Sequence, residues 1–288
     1  MRLFSVLKKG ACKTAGSYKL LITMWVITLG MILLVAMPLK LGLKIIFSKS
    51  FATDNLLDGF DVGLAGDMGP AFNNLLGSAT YGGFLLLVTG FLLYTFFAGG
   101  LFARYTTAYG SFKVSAFLKS SAHHFLTYLG IGVITLLLIV VWTLVIIGIP
   151  AAIAGGAADD PFAVLTVAKI MAVVWALGLP LWFLVADRAR IWVATTGIRR
   201  VFRALGAGFS SLRISFKVSY LAVLLVFLVN LAFLGLIFAF TAVVVPEQGF
   251  LITLFFLATQ ALFLLRIFLK AWRYATVSEL AMGSGEVS

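Results

Sequence analysis

The sequence predicts an all-α fold, a polytopic membrane helix bundle of six transmembrane helices arranged as three hairpins, each preceded by a cytoplasmic interfacial segment. Three observations predict it. Hydrophobic residues make up 62% of the 288 and charged residues only 11%, with a mean hydropathy of +1.12, which no soluble globular domain can carry. Six stretches, about 20–38, 81–101, 125–149, 163–186, 217–245 and 250–269, reach the length of roughly 20 apolar residues that crosses about 30 Å of hydrocarbon. Between these stretches the charges segregate by sign.

Arg2, Lys8, Lys9, Lys13, Lys19, Arg104, Lys113, Lys119, Arg188, Arg190, Arg199, Arg200, Arg203, Arg213, Lys217, Arg266, Lys270 and Arg273 fall on one side, 18 of the 22 basic residues. The other side holds Asp54, Asp58, Asp61, Asp67, Asp159, Asp160 and Glu247, seven of the ten acids. The positive-inside bias then puts both termini in the cytoplasm. Lys40 and Lys44 dissent, but their four-carbon stems let the ammonium reach the headgroups. The formal charge of +12 is the charge of a face lying on anionic lipid, where each basic residue gains about 1 kcal/mol. No basic domain stands clear of the spans, so the reading is no nucleic acid as partner.

In order along the chain, the basic stretch "MRLFSVLKKGACKTAGSYK" leads into a span longer than a signal h-region and without a small-residue cleavage site, so the first span is expected to be retained. The outer loop 48–79 carries four aspartates whose spacing does not match a calcium-binding loop. Gly99 and Gly100 lie within the second span, where they permit close helix packing. His123 and His124 point about 100° apart on a helix and cannot grip one metal together. Cys12 is the single cysteine, so there is no intrachain disulfide and no thiol metal site. No cofactor, metal or catalytic motif is legible. All of 1–288 is taken as one transmembrane domain.

The fourth span ends on Asp187, a lone acid among arginines. A negative charge at a helix C-terminus opposes the helix dipole, so it must find cations. Arg190 lies one turn on in the same helix, and Arg104 and Arg266 are expected at the same depth. These four residues form the expected structural ion-pair cluster. Next comes the amphipathic segment 196–216, in which Ile198, Phe202, Leu205, Phe209, Leu212 and Phe216 share one stripe. Arg199, Arg200, Arg203 and Arg213 are its expected contacts with anionic lipid of the cytoplasmic leaflet. Gly206 and Gly208 make a break there an expectation. The deep polar residues Lys169, Asn230 and Gln260 are the one candidate intramembrane polar site.

The stretches "TFFAGGLFARYTTAYGSFKVSAFLKSSAHHFLTYLG" (95–130), "ADRARIWVATTGIRRVFRALGAGF" (186–209) and "ATQALFLLRIFLKAWRYATVSEL" (258–280) resemble signature stretches of a family of uncharacterised bacterial six-span integral membrane proteins. That family is loosely similar to the membrane domain of bacterial glycerophosphodiesterases. The resemblance implies a fold and a bacterial plasma (inner) membrane address, and no catalytic residue. The functional expectation is a non-enzymatic accessory or scaffolding component that binds lipid and a larger membrane complex. A transporter or channel for a small or apolar solute is the alternative.

Overall fold

The computed structural model describes residues 3–47, 69–106, 113–157, 161–243 and 249–283. The acids of the outer loop 48–79, with Asp159, Asp160 and Glu247, lie outside them. Among the described residues all regular structure is helical. In chain order the helices are α1 (Leu3–Ala15), α2 (Tyr18–Phe47), α3 (Gly69–Thr106), α4 (Val114–Thr143), a π-helical turn (Leu144–Gly148), α5 (Ile149–Ala157), α6 (Pro161–Thr196), α7 (Val201–Val243) and α8 (Gly249–Gly283). Five are long and apolar enough to cross a membrane; a sixth span follows if α1 and α2, bent by 65°, count as one.

Packing groups the chain into two units, Met1–Thr23 with Thr95–Ser288, and Met24–Tyr94. In the second unit, Thr28 Oγ1 bonds back to the Met24 carbonyl at 2.7 Å. Its side chains Leu33, Leu34, Phe84 and Leu87 are exposed. The first unit carries most of the buried core. There α6 lies along α7 in the most extensive interface, α1 docks on α8, and α4 packs on α6.

Local chemistry explains the element ends. α6 opens with proline at its first position, where the missing N–H costs nothing. It closes on Gly197, whose φ of +71° suits a left-handed cap and whose N–H reaches the Val193 carbonyl at 3.0 Å. Inside α6, Pro180 cannot bond the Ala176 carbonyl. The carbonyls on either side receive side-chain donors: Trp142 Nε1 donates to Trp175 O at 3.3 Å, and Tyr220 Oη to Leu177 O at 2.8 Å, so neighbouring helices bond this stretch of α6 from outside.

The three lead-in segments differ. The first, α1, meets its span at the 65° bend. The second begins at Val114 and runs without interruption into α4. The third is the start of α7, and its break lies at Ser215 (φ −136°, ψ 31°), not at Gly206 or Gly208. Gly208 is helical because it is pressed against α6: a Cβ there would stand 2.7 Å from the Val185 carbonyl oxygen. Gly99 and Gly100 serve the close approach expected of them. A Cβ on Gly99 would stand 3.0 Å from Ser121 Cα, and one on Gly100 would strike the Phe117 ring.

Candidate functional site: a buried charge centre at the basic end

The deepest charge chemistry gathers at the end of the first unit where the basic residues lie. Asp187 is fully buried. Its Oδ1 accepts a hydrogen bond from Arg190 Nη1 at 2.9 Å, and its Oδ2 lies 2.9 Å from Arg273 Nε. Arg190 and Arg273 are themselves largely buried, at 11% and 16% side-chain exposure. The Arg273 guanidinium also stacks between the rings of Phe183, 4.8 Å away, and Tyr274, 5.0 Å away, where the ring faces attract its charge. From α4, Tyr128 Oη donates to the Arg190 carbonyl at 2.7 Å. One carboxylate thus joins α6 to α8, while α4 is tied beside it to the backbone of α6 through Tyr128.

The expected cluster is brought together in part. Arg190 sits where helical spacing places it, but the partner from α8 is Arg273, two turns beyond Arg266, which is exposed. The reason is depth. α8 does not stop near residue 269 but continues to Gly283, so Asp187 stands level with a point about 10 Å further along it at 1.5 Å per residue. Arg104, at the end of α3, lines a cavity with α1 and α8 instead of ion-pairing with Asp187.

Arg188 is a site residue the sequence reading passed over. It is 3% exposed, points away from its neighbour Asp187 and caps the α7 break. Its Nη1 donates to the Ser211 carbonyl at 3.1 Å, and its Nη2 to Ser215 Oγ at 2.8 Å and Ser219 Oγ at 2.7 Å. The guanidinium thus bonds both sides of the break, the Ser211 carbonyl before it and the Ser215 and Ser219 hydroxyls at and after it. A signal for it existed, since Ser211, Ser215 and Ser219 recur every fourth residue and so form one polar line on an apolar helix.

The remaining candidates are placed as follows. His123 is exposed and meets Arg199, whose Nη2 lies 2.6 Å from its Nδ1, while His124 is buried and stacked on Tyr128. Arg200, Arg203 and Arg213 are exposed. On the same segment Leu205 and Leu212 are buried, whereas Phe202 is 81% exposed, with Phe209 and Phe216 near half. No hydrogen bond joins the three intramembrane polar candidates to one another. Lys169 is exposed, Asn230 Nδ2 bonds its own helix at Val226 O (2.8 Å), and Gln260 Oε1 is buried without a hydrogen-bond partner. Among the described residues, no group of three or more His, Cys, Asp or Glu side chains is placed to hold a metal.

The chain matches no family model, no curated protein and no solved structure. What the centre can do must therefore come from its geometry. Both oxygens of Asp187 are engaged and none of its surface meets solvent, so a proton, ion or substrate has no approach to it without breaking the junction. The chemistry of this arrangement is that of a fastening.

Proposed function

We propose that the protein is an accessory or scaffolding component of a bacterial plasma membrane, with both termini cytoplasmic, that engages anionic lipid through the start of α7 and offers its outer surface to a membrane complex. The observation that carries this reading is the division of that segment. At 100° per residue, Ala204, Leu205, Gly208 and Leu212 form its buried side. Phe202 and Phe209 border that side, and exposed Arg203 and Arg213 follow next around the helix. An apolar row between a protein-packed face and a basic face suits a helix lying in the headgroup layer, with rings toward acyl chains and guanidinium groups toward phosphates. A bacterial address agrees with the family resemblance of the three quoted stretches.

The scaffold reading is favoured over a transporter because Lys169, Asn230 and Gln260 form no connected polar route. The test compares the wild type with the variant Arg199→Gln/Arg200→Gln/Arg203→Gln/Arg213→Gln. Each is extracted in mild detergent and the co-purified lipid quantified by mass spectrometry. The wild type is expected to retain phosphatidylglycerol over phosphatidylcholine, and the variant to lose that preference. Equal lipid profiles, or solute flux in proteoliposomes, would overturn the reading.

A further inference from the structure

Just before the start of α7 lies a contact that no carboxylate balances. Arg199, in the connector between α6 and α7, reaches back to α4, where its Nη2 stands 2.6 Å from Nδ1 and 2.5 Å from Nε2 of His123. Both residues are exposed. A guanidinium can only donate, and a neutral imidazole has one nitrogen able to accept, the one that lacks the proton. Because Arg199 stands close to both nitrogens, either tautomer offers it an acceptor.

The connector is placed by its neighbours. Gly197 ends α6 in the left-handed region and turns the chain. At the start of α7, Val201 fills the space beside Gly130 of α4, where a Cβ would stand 2.8 Å from Val201 Cγ2. Gly130 lies about two turns along α4 from His123, so the connector is pressed against the helix that carries the histidine.

The charged and titratable groups around the contact are basic or neutral. On α4 they are Lys119, exposed one turn before His123, and His124, whose ring stands edge-on to that of His123 at 4.8 Å and is stacked on Tyr128. From the connector and α7 come Arg199 itself and the exposed Arg200 and Arg203. From α6, Arg190 offers its carbonyl to Tyr128 and its guanidinium to Asp187. The two carboxylates among the described residues are engaged elsewhere, Asp187 by Arg190 and Arg273 and Glu279 by Lys13.

Protonation therefore reverses the contact. An imidazolium has two donors and no acceptor, so it loses the hydrogen bond and repels the guanidinium. Two adjacent cations that can only donate are satisfied by an anion that accepts from both. For a segment in the headgroup layer that anion is a lipid phosphate.

We propose that His123 and Arg199 form a proton-gated phosphate contact: while His123 is neutral Arg199 is held on α4, and once it is protonated both side chains turn to the phosphate of an anionic lipid headgroup. This rests on the lipid reading of the α7 start and adds its regulation. Engagement of anionic lipid strengthens as the pH falls, because the acid form adds an imidazolium and frees a guanidinium.

The test reconstitutes the full-length protein with equal amounts of phosphatidylglycerol and phosphatidylcholine and extracts it in mild detergent at about pH 8 and about pH 5.5. The co-purified lipid is quantified by mass spectrometry. The two histidines of the chain are the side chains that ordinarily change charge in this window, while the phosphodiester of phosphatidylglycerol stays ionised throughout. The wild type is expected to gain about fivefold in phosphatidylglycerol over phosphatidylcholine at the lower pH, the effect of one more basic residue at an anionic surface.

His123→Gln, which takes up no proton, is expected to lose that gain and keep the wild-type preference at about pH 8. His123→Arg carries its charge at both values and is expected to show the higher preference at each, which keeps the proposal testable should the glutamine variant fail to fold. A preference that does not change with pH, or a gain that survives His123→Gln, would overturn the gate and leave the lipid reading standing. No preference at either pH would overturn both.

Discussion

Two ends of the same helices behave as different materials. At the basic end α6 buries Leu184, Val185, Ala186, Asp187, Arg188, Ala189, Ile191 and Val193 within ten residues. At the loop end of that helix Leu165, Ile170, Val173 and Leu177 are exposed. α8 repeats the pattern: Tyr274 to Ser278 is an unbroken buried run, while Phe250, Leu251, Ile252, Leu254, Phe256 and Leu257 face outward. Hydropathy is nearly inverted with respect to burial, since the polar ends are packed and the apolar ends are bare. In water that would be a defect. In helices long and apolar enough to cross a membrane it follows from the solvent, because lipid rewards apolar exposure while charges must find partners within the protein.

The lesson is that cohesion in the first unit is local to the basic end, where a packed apolar core surrounds the Asp187 and Arg188 networks. It predicts that substitutions rank by their distance from the Asp187 junction and not by hydrophobic volume. The largest effect is expected for Asp187→Ala, which leaves Arg190 and Arg273 facing each other without their shared anion. Breaking a buried pair in this way costs about 3 to 5 kcal/mol, read as a lower unfolding midpoint in detergent. An unchanged midpoint would remove the junction from the account. Next comes Arg188→Ala, which strips the Ser211 carbonyl and two serines of their donor. Hydrogen bonds to a charged group are worth about 1.5 to 3 kcal/mol each, less in a chain that can relax, so a loss of about 2 kcal/mol is expected in the same assay. Ser219→Ala should cost only a fraction of that.

Gly100→Leu sharpens the comparison through packing alone. The added side chain drives into Phe117 and Ser121, and overpacking of this kind costs about 1 to 3 kcal/mol. At the loop end, Leu236→Ala and Lys169→Gln, both at exposed positions, are expected to stay within about 0.5 kcal/mol of wild type. A large loss at Leu236 would show that the exposed half is cohesive after all.

How much of this could be read from the sequence follows the same division. The apolar stretches were legible because about twenty residues with at most one or two charges allow few other outcomes. The depth of Asp187 and its bond to Arg190 follow from helical spacing. The choice of Arg266 over Arg273 failed because hydropathy marks where a helix leaves the apolar layer, not where it ends, and α8 runs on as helix to Gly283. The α7 break was expected at glycines, which weaken isolated helices. Instead Gly208 is needed for close contact with α6, and the break falls on a serine whose arginine partner lies 27 positions away. Long-range pairings of that kind leave no local trace except the periodic serines.

The most direct test of the central claim is a double-mutant cycle of Asp187→Asn and Arg273→Gln, with unfolding midpoints measured in one detergent. If the two groups form the fastening between α6 and α8, the double variant is little worse than Asp187→Asn alone, and the coupling falls in the range of about 0.5 to 3 kcal/mol seen for residues in contact. Strictly additive losses would mean that the 2.9 Å pair carries no weight, and would contradict the account.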